Sequence, residues 1–233
     1  MIKIFRCECR RLLCNKFFIG LLAGQVFYAV ALPGVAHTAP FSPWSFGAYL
    51  GRLLPLVWVG ALFFLTFFTS ARERRAAVLT AATPADPRRY ALARCAAALV
   101  GVALLCLAAL ALAALLYARL FGWTDWGSLA LPALVILAPP LVFALGSGWL
   151  LGRLRPWLLY VWMLLPFALA ALPLPEALGL WNGGLCTSYP LTLGMLDPAF
   201  SLPAAAWAVQ GLLLAAGVLL LLVAGKGKKV YNQ

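Results

Sequence analysis

Six stretches of this chain carry no Asp, Glu, Lys, Arg or His: 17–36, 53–70, 95–116, 129–151, 156–174 and 203–224. Each is close to the roughly 20 apolar residues that a helix needs to cross about 30 Å of hydrocarbon. All 18 basic and 6 acidic side chains, and His37, lie between or beyond them. A charge at mid-bilayer costs about 2.5–3.5 kcal/mol on insertion scales, so segregation this complete reads as a bilayer constraint. In lipid only helices and closed barrels satisfy the backbone. Barrel strands alternate apolar and polar residues over about 10 positions, and "CAAALVGVALLCLAALALAALL" at 95–116 does not alternate. The expected fold is an all-α integral membrane protein, a single domain over 1–233 with six transmembrane helices. Composition agrees: 65% of residues are hydrophobic and 10% charged, against about 45–50% and about 25% in soluble domains.

The net charge of +12 would point to nucleic acid in a soluble protein, but positive-inside topology accounts for it here. With the N-terminus in the cytoplasm, sixteen of the eighteen Lys and Arg residues fall inside, and only Arg52 and Arg119 fall outside. The expectation is a multi-pass protein of a prokaryotic cytoplasmic membrane, with both termini cytoplasmic and no nucleic-acid partner. The first stretch has a basic start and a weak cleavage mimic, "GVA" at 34–36. It is read as a true span, not a signal peptide.

Residues 1–16 have helical amphipathic spacing. Ile2, Phe5, Cys9, Leu12 and Leu13 share one face, and Lys3, Arg6 and Arg10 another. That pattern predicts an interfacial helix, with Phe5 and Leu12 turned to apolar surroundings and Arg6 and Arg10 to anionic headgroups of membrane lipids. Cys7-Glu8-Cys9 lacks further ligands, so no metal site is expected. Two G-x-x-x-G pairs, Gly20/Gly24 and Gly148/Gly152, allow close helix approach. Gln25 and Gln210 are the only amides inside spans; they either bond between helices or line a polar pathway. Pro139-Pro140 should kink the fourth span and Pro166 should bend the fifth. Outside, Phe41, Trp44, Phe46 and Tyr49 fit an aromatic belt. The long segment 175–202, poor in charge, should dip into the interface or pack on the bundle.

The loop between the second and third spans, "ARERRAAVLTAATPADPRRYALAR" at 71–94, holds six arginines. Its first part is built of good helix formers. Thr83-Pro84 then breaks the helix, and Asp86-Pro87 suits an N-cap followed by proline at the first helical position. Val78, Leu79 and Ala82 give the first helix a small apolar face beside its cations, suited to docking on a partner. Glu73-Arg74, the following apolar run, "AATP" at 81–84 and Arg89-Tyr90 resemble the ABC-2 type permease family, as does the whole arrangement of spans. Arg75 departs from the family's usual small residue. The chain's size is similar to that of permeases for lantibiotics and related peptides.

This resemblance implies an N-terminal connecting helix and a coupling helix carrying Glu73, Arg74, Arg75, Val78, Leu79, Thr83 and Pro84. It also implies a re-entrant outer segment between spans five and six. The coupling helix would dock on a separate P-loop ATPase that holds ATP and Mg. A second permease chain, identical or related, would complete the pathway. The chain itself carries no G-x-x-x-x-G-K-[ST], since "GKGKK" at 225–229 lacks the spacing and the hydroxyl. It is therefore expected to be no enzyme and to hold no cofactor. A carrier driven by an ion gradient would place ionisable groups inside its spans. The resulting expectation is the permease subunit of an ATP-driven exporter for an apolar or amphipathic substrate: a peptide, an antibiotic or a lipid-like molecule. Two alternatives are a non-transporting immunity or accessory subunit, and a membrane enzyme modifying lipid. The enzyme would need clustered acids, a His or a metal set, whereas six acids are scattered along the chain beside one His.

Overall fold

A computed structural model describes residues 2–31, 42–69, 87–172, 175–194 and 198–225. These are helical, without strands: α1 (Ile2–Leu13), α2 (Lys16–Ala31), α3 (Pro43–Thr69), α4 (Pro87–Phe121), α5 (Gly127–Leu154), α6 (Trp157–Ala171), a 3-10 turn (Glu176–Trp181), α7 (Gly184–Thr192) and α8 (Ala204–Gly225). Four helices, α3, α4, α5 and α8, are long and apolar enough to cross a membrane on their own. A fifth crossing results if α1 and α2, bent by 56° at their junction, are taken together. Asn15 makes that bend: its side-chain oxygen accepts the Phe17 N–H at 3.3 Å and its carbonyl the Phe18 N–H at 3.0 Å, so it starts α2 as an N-cap. At 15 residues, α6 rises only about 22 Å. The protein is thus a multi-pass, all-helical membrane protein. Side chains such as Phe27, Leu212 and Leu219, 78%, 70% and 61% exposed, form the surface that lipid covers.

α3 is the central helix, with 19 of its 27 residues buried. It begins at Pro43, ten residues before the expected start of the second span, and Arg52 lies inside it. The aromatic-belt reading is corrected with it: Trp44, Phe46 and Tyr49 are 2%, 3% and 1% exposed and pack in the protein core instead of facing lipid. The physical reason is the cover placed over them. Trp44 packs on Tyr189 and Phe200 and donates to the Pro198 carbonyl at 2.9 Å. Tyr49 donates to the Ala29 carbonyl at 3.2 Å and meets Tyr117 edge-on. Phe41 lies outside the described residues.

α5 packs between α3 and α8. A Cβ on Gly146 would fall 2.5 Å from the Gly217 carbonyl oxygen, and one on Gly217 would fall 2.6 Å from the Phe143 nitrogen. The two backbones therefore touch, as small residues permit in membrane bundles. Of the two sequence G-x-x-x-G pairs, Gly148/Gly152 seats α5 on Leu62, Leu65 and Thr69 of α3, while Gly20 and Gly24 have nothing within 4 Å. Pro132, Pro139 and Pro140 all lie inside α5, which continues through them without a break, and α6 likewise runs through Pro166. The short α6 is tied in by tryptophans. Trp58 donates to the Trp162 carbonyl at 3.2 Å, Trp162 to Ser147 Oγ at 2.9 Å, and Ser147 to the Phe143 carbonyl at 2.6 Å.

Candidate functional site

The sequence directs attention to the charged loop. Glu73, Arg74, Arg75, Val78, Leu79, Thr83 and Pro84 lie outside the described residues. Its two flanks are described: α3 ends at Thr69 and α4 starts at Pro87, where the Asp86-Pro87 signal puts a helix start. The α4 flank meets α1 in a buried polar cluster, and the α3 flank adjoins it through Phe68. Glu8 of α1 is 5% exposed. Tyr90 donates its hydroxyl to Glu8 Oε1 at 2.9 Å, and Arg94 Nε lies 3.5 Å from the same oxygen. Arg94 Nη2 also donates to the Tyr90 hydroxyl at 2.7 Å. Its guanidinium stacks 4.3 Å from the Tyr90 ring centroid and 5.4 Å from that of Phe68, near the end of α3. Arg11 Nη1 is 3.8 Å from Glu8 Oε2.

The spacing explains the assembly. Tyr90 and Arg94 are four apart and Glu8 and Arg11 three apart, so each pair shares one helix face. Burial, and then the hydrogen bond to Glu8, push the Tyr90 phenol above its ordinary value. The phenol therefore stays protonated and keeps donating. Arg94 serves both neighbours at once, as a planar guanidinium can. The cluster joins three elements: α1, the last turn of α3 and the first turns of α4. Removing one member of a buried ion pair costs about 3–5 kcal/mol, because the survivor is left uncompensated.

α1 has the expected two faces, but its apolar face rests on protein. Leu12 is 1% exposed, Phe5 and Cys9 pack against the core, and Arg6 and Arg10 are exposed. α1 packs chiefly on α4, which supplies the apolar surroundings that the interfacial reading assigned to lipid. Cys7 is exposed and Cys9 half-buried. Burial, then the neighbouring Glu8 charge, raise the Cys9 thiol. Among the described residues no three His, Cys, Asp or Glu side chains gather into a metal-binding group.

The two glutamines sit on separate seams. Gln25 Nε2 donates to the Leu105 carbonyl at 2.7 Å and ties α2 to α4. Gln210, 2% exposed on α8, has no hydrogen-bond partner for either amide atom among the described residues. Gln25 thus has one structural bond and leaves its Oε1 without a partner among the described residues, while Gln210 has neither amide atom paired there. Glu8 and Tyr90 are the functional candidates that sequence reading passed over as a site. One signal was available: Glu8 is the only acid in the first 72 residues, set among cations.

No family model, curated protein or solved structure matches the chain.

Proposed function

We propose that this chain is the membrane subunit of an ATP-driven exporter for an apolar or amphipathic substrate, with six spans and both termini in the cytoplasm. The observation that carries this reading is the buried Glu8–Tyr90–Arg94 joint, which ties the α4 flank of the arginine-rich loop to the N-terminal helix and sets Arg94 over Phe68 at the α3 flank. A loop that only oriented the protein would need charge alone. A loop that is worked by a partner needs its ends tied to the elements it moves. In this reading 72–82 forms a coupling helix docked on a separate P-loop ATPase, through Glu73, Arg74, Arg75, Val78 and Leu79, with Thr83-Pro84 as its stop. ATP-driven closure of the partner displaces the loop, and the joint passes that displacement to α1, α3 and α4 as one unit. α2, with the chain beyond it, and α6 complete the fifth and sixth crossings. The turn and helix over 176–192 act as a re-entrant outer closure. A second permease chain pairs with this one, and ATP and Mg stay on the partner.

The test is ATP hydrolysis by the ATPase co-reconstituted with this chain. Glu73→Ala with Arg74→Ala should cut the membrane-subunit-dependent rate by about tenfold, within the range of ordinary coupling energies, while the spans stay folded. An unchanged rate with intact assembly would sink the coupling role.

Topology has its own check. Cys7 and Cys14 are exposed. In intact cells a membrane-impermeant maleimide should leave both unlabelled, and permeabilisation should label both. Labelling without permeabilisation would place the N-terminus outside and end this reading.

A further inference from the structure

Gln210 is covered almost completely by protein, yet neither of its amide atoms has a hydrogen-bond partner among the described residues. An amide left unpaired at this depth is costly. On α8 the buried positions Ala206, Gln210 and Gly217 form one stripe at helical spacing. That stripe faces α5, because a Cβ on Gly217 would fall against the Phe143 backbone.

The glycine contact fixes the register. A Cβ on Gly146 would lie 2.5 Å from the Gly217 carbonyl oxygen and 3.0 Å from Leu220 Cβ, while one on Gly217 meets Val142 and Phe143. The two helices therefore run in the same direction. Seven residues before Gly146 stands Pro139, and seven before Gly217 stands Gln210. Seven residues return to nearly the same face about 10 Å along a helix. Gln210 thus stands at the level of Pro139-Pro140, on the face turned to α5.

The prolines leave acceptors at that level. Pro139 has no N–H for the Val135 carbonyl. Ile136 has proline at both of its helical donor positions, three and four residues ahead. Val135 and Ile136 are 3% and 1% exposed, so bulk solvent does not reach them. Pro139 lies about 18 Å along α5, which is about 42 Å long, so the hydrocarbon layer of about 30 Å encloses this level.

The donor and acceptor inventory identifies the occupant. The amide offers two N–H groups and one oxygen, and the carbonyls only accept. A bridging group must accept from Gln210 Nε2, donate to a carbonyl and fit a seam sealed by protein. Water meets all three demands, and ordered water is one way in which a span re-satisfies carbonyls freed by proline. A cation would find oxygens but no neutralising charge, since 127–152 and 204–225 carry no acid. We propose that an ordered water occupies the seam between α5 and α8, accepting from Gln210 Nε2 and donating to the Ile136 carbonyl. It lets α5 carry two adjacent prolines inside the membrane without a break, and it makes Gln210 a positioning residue for α8. The site is independent of the exporter reading and would stand without it.

The test is solid-state NMR of the full chain in phosphatidylcholine bilayers, labelled with 15N in the glutamine side chains. The chain has three glutamines, Gln25, Gln210 and Gln233, and loss of one signal in Gln210→Met assigns the one of interest. In the wild type the Gln210 amide should receive magnetisation from water protons despite its burial. Pro139→Ala with Pro140→Ala returns N–H donors to the Val135 and Ile136 carbonyls, and most of that transfer should disappear. Pro132→Ala, in the same helix but nearer its start, should leave it intact. Absence of water transfer in the wild type would overturn the proposal without any variant. So would transfer that survives unchanged in the double proline variant, since the water would then not rest on those carbonyls. A Gln210 signal that shifts when choline replaces sodium in the buffer would mean a cation occupant and would overturn it too.

Discussion

Glu8→Ala should lower the thermal midpoint by about 5–10 °C and release α1 from α4. The substitution leaves the Tyr90 hydroxyl and the Arg94 guanidinium without the carboxylate they share. Loss of one partner in a fully buried pair would cost about 3–5 kcal/mol. Arg94 keeps 14% of its side chain exposed, and water compensates part of that loss, so about 2–3 kcal/mol is the expected size. In a chain of this length each kcal/mol moves the midpoint by about 2–4 °C. Arg11→Gln serves as the control, since that side chain is 41% exposed and a surface pair contributes about 0–1 kcal/mol. Tyr90→Phe should fall between them, at about 1 kcal/mol, for one hydroxyl bonded to two charged groups. In the reconstituted system Glu8→Ala should also uncouple: the ATPase still binds and hydrolyses, but transport per ATP drops. A Glu8→Ala protein that melts with the wild type would mean that the joint contributes nothing to the fold. Normal transport despite a lowered midpoint would mean that it only stabilises.

The helices were legible because hydrocarbon punishes charge everywhere along a span. α2, α3, α4, α5, α6 and α8 each contain most of an uncharged stretch seen in the sequence. What misled was the use of a single charge as a boundary. Arg52 marked the start of the second span on paper, yet the helix begins nine residues earlier, where Tyr189, Pro198 and Phe200 cover Trp44 with protein. The rings of Trp44, Phe46 and Tyr49 carry the same composition whether they face headgroups or a core. Composition cannot separate the two, and only the partners Tyr189, Phe200 and Tyr117 do. Glu8 was hidden for a related reason. In an amphipathic basic helix one acid looks like part of the polar face, and its burial depends on Tyr90 and Arg94, more than 80 residues away. Placing 43–52 in a loop also concealed a third G-x-x-x-G, Gly47-Ala-Tyr-Leu-Gly51.

That third glycine pair supports the other large expected effect. Gly183→Ala should unseat the 3-10 turn and α7 from α3, while Gly47→Ala should be much milder. A Cβ on Gly183 would stand 2.6 Å from the Ala48 carbonyl oxygen, and its φ of 74° is a conformation that side chains disfavour. The strain is about 1–2 kcal/mol for the dihedral and about 1–3 kcal/mol for the overpacking. Gly51→Ala meets backbone on the other side of the same contact, 2.7 Å from the Gly183 nitrogen and 2.9 Å from the Leu180 carbonyl oxygen. Neither neighbour is a flexible side chain that could swing aside. At Gly47 the nearest atoms are side-chain ends, Cys186 Sγ at 2.9 Å and Ile136 Cδ1 at 3.1 Å, which can yield. Cys186 supplies the readout. It is 3% exposed in the native protein and should resist maleimide, then react in Gly183→Ala and Gly51→Ala once the 3-10 turn and α7 lift from α3. Because this seat and the Glu8 joint share no residues, combining Gly183→Ala with Glu8→Ala should add their midpoint shifts to within about 0.5 kcal/mol. An excess over additivity would mean that the two ends of the bundle communicate through α3. Native resistance of Cys186 in both glycine variants would mean that the 3-10 turn and α7 are held by something other than this glycine contact.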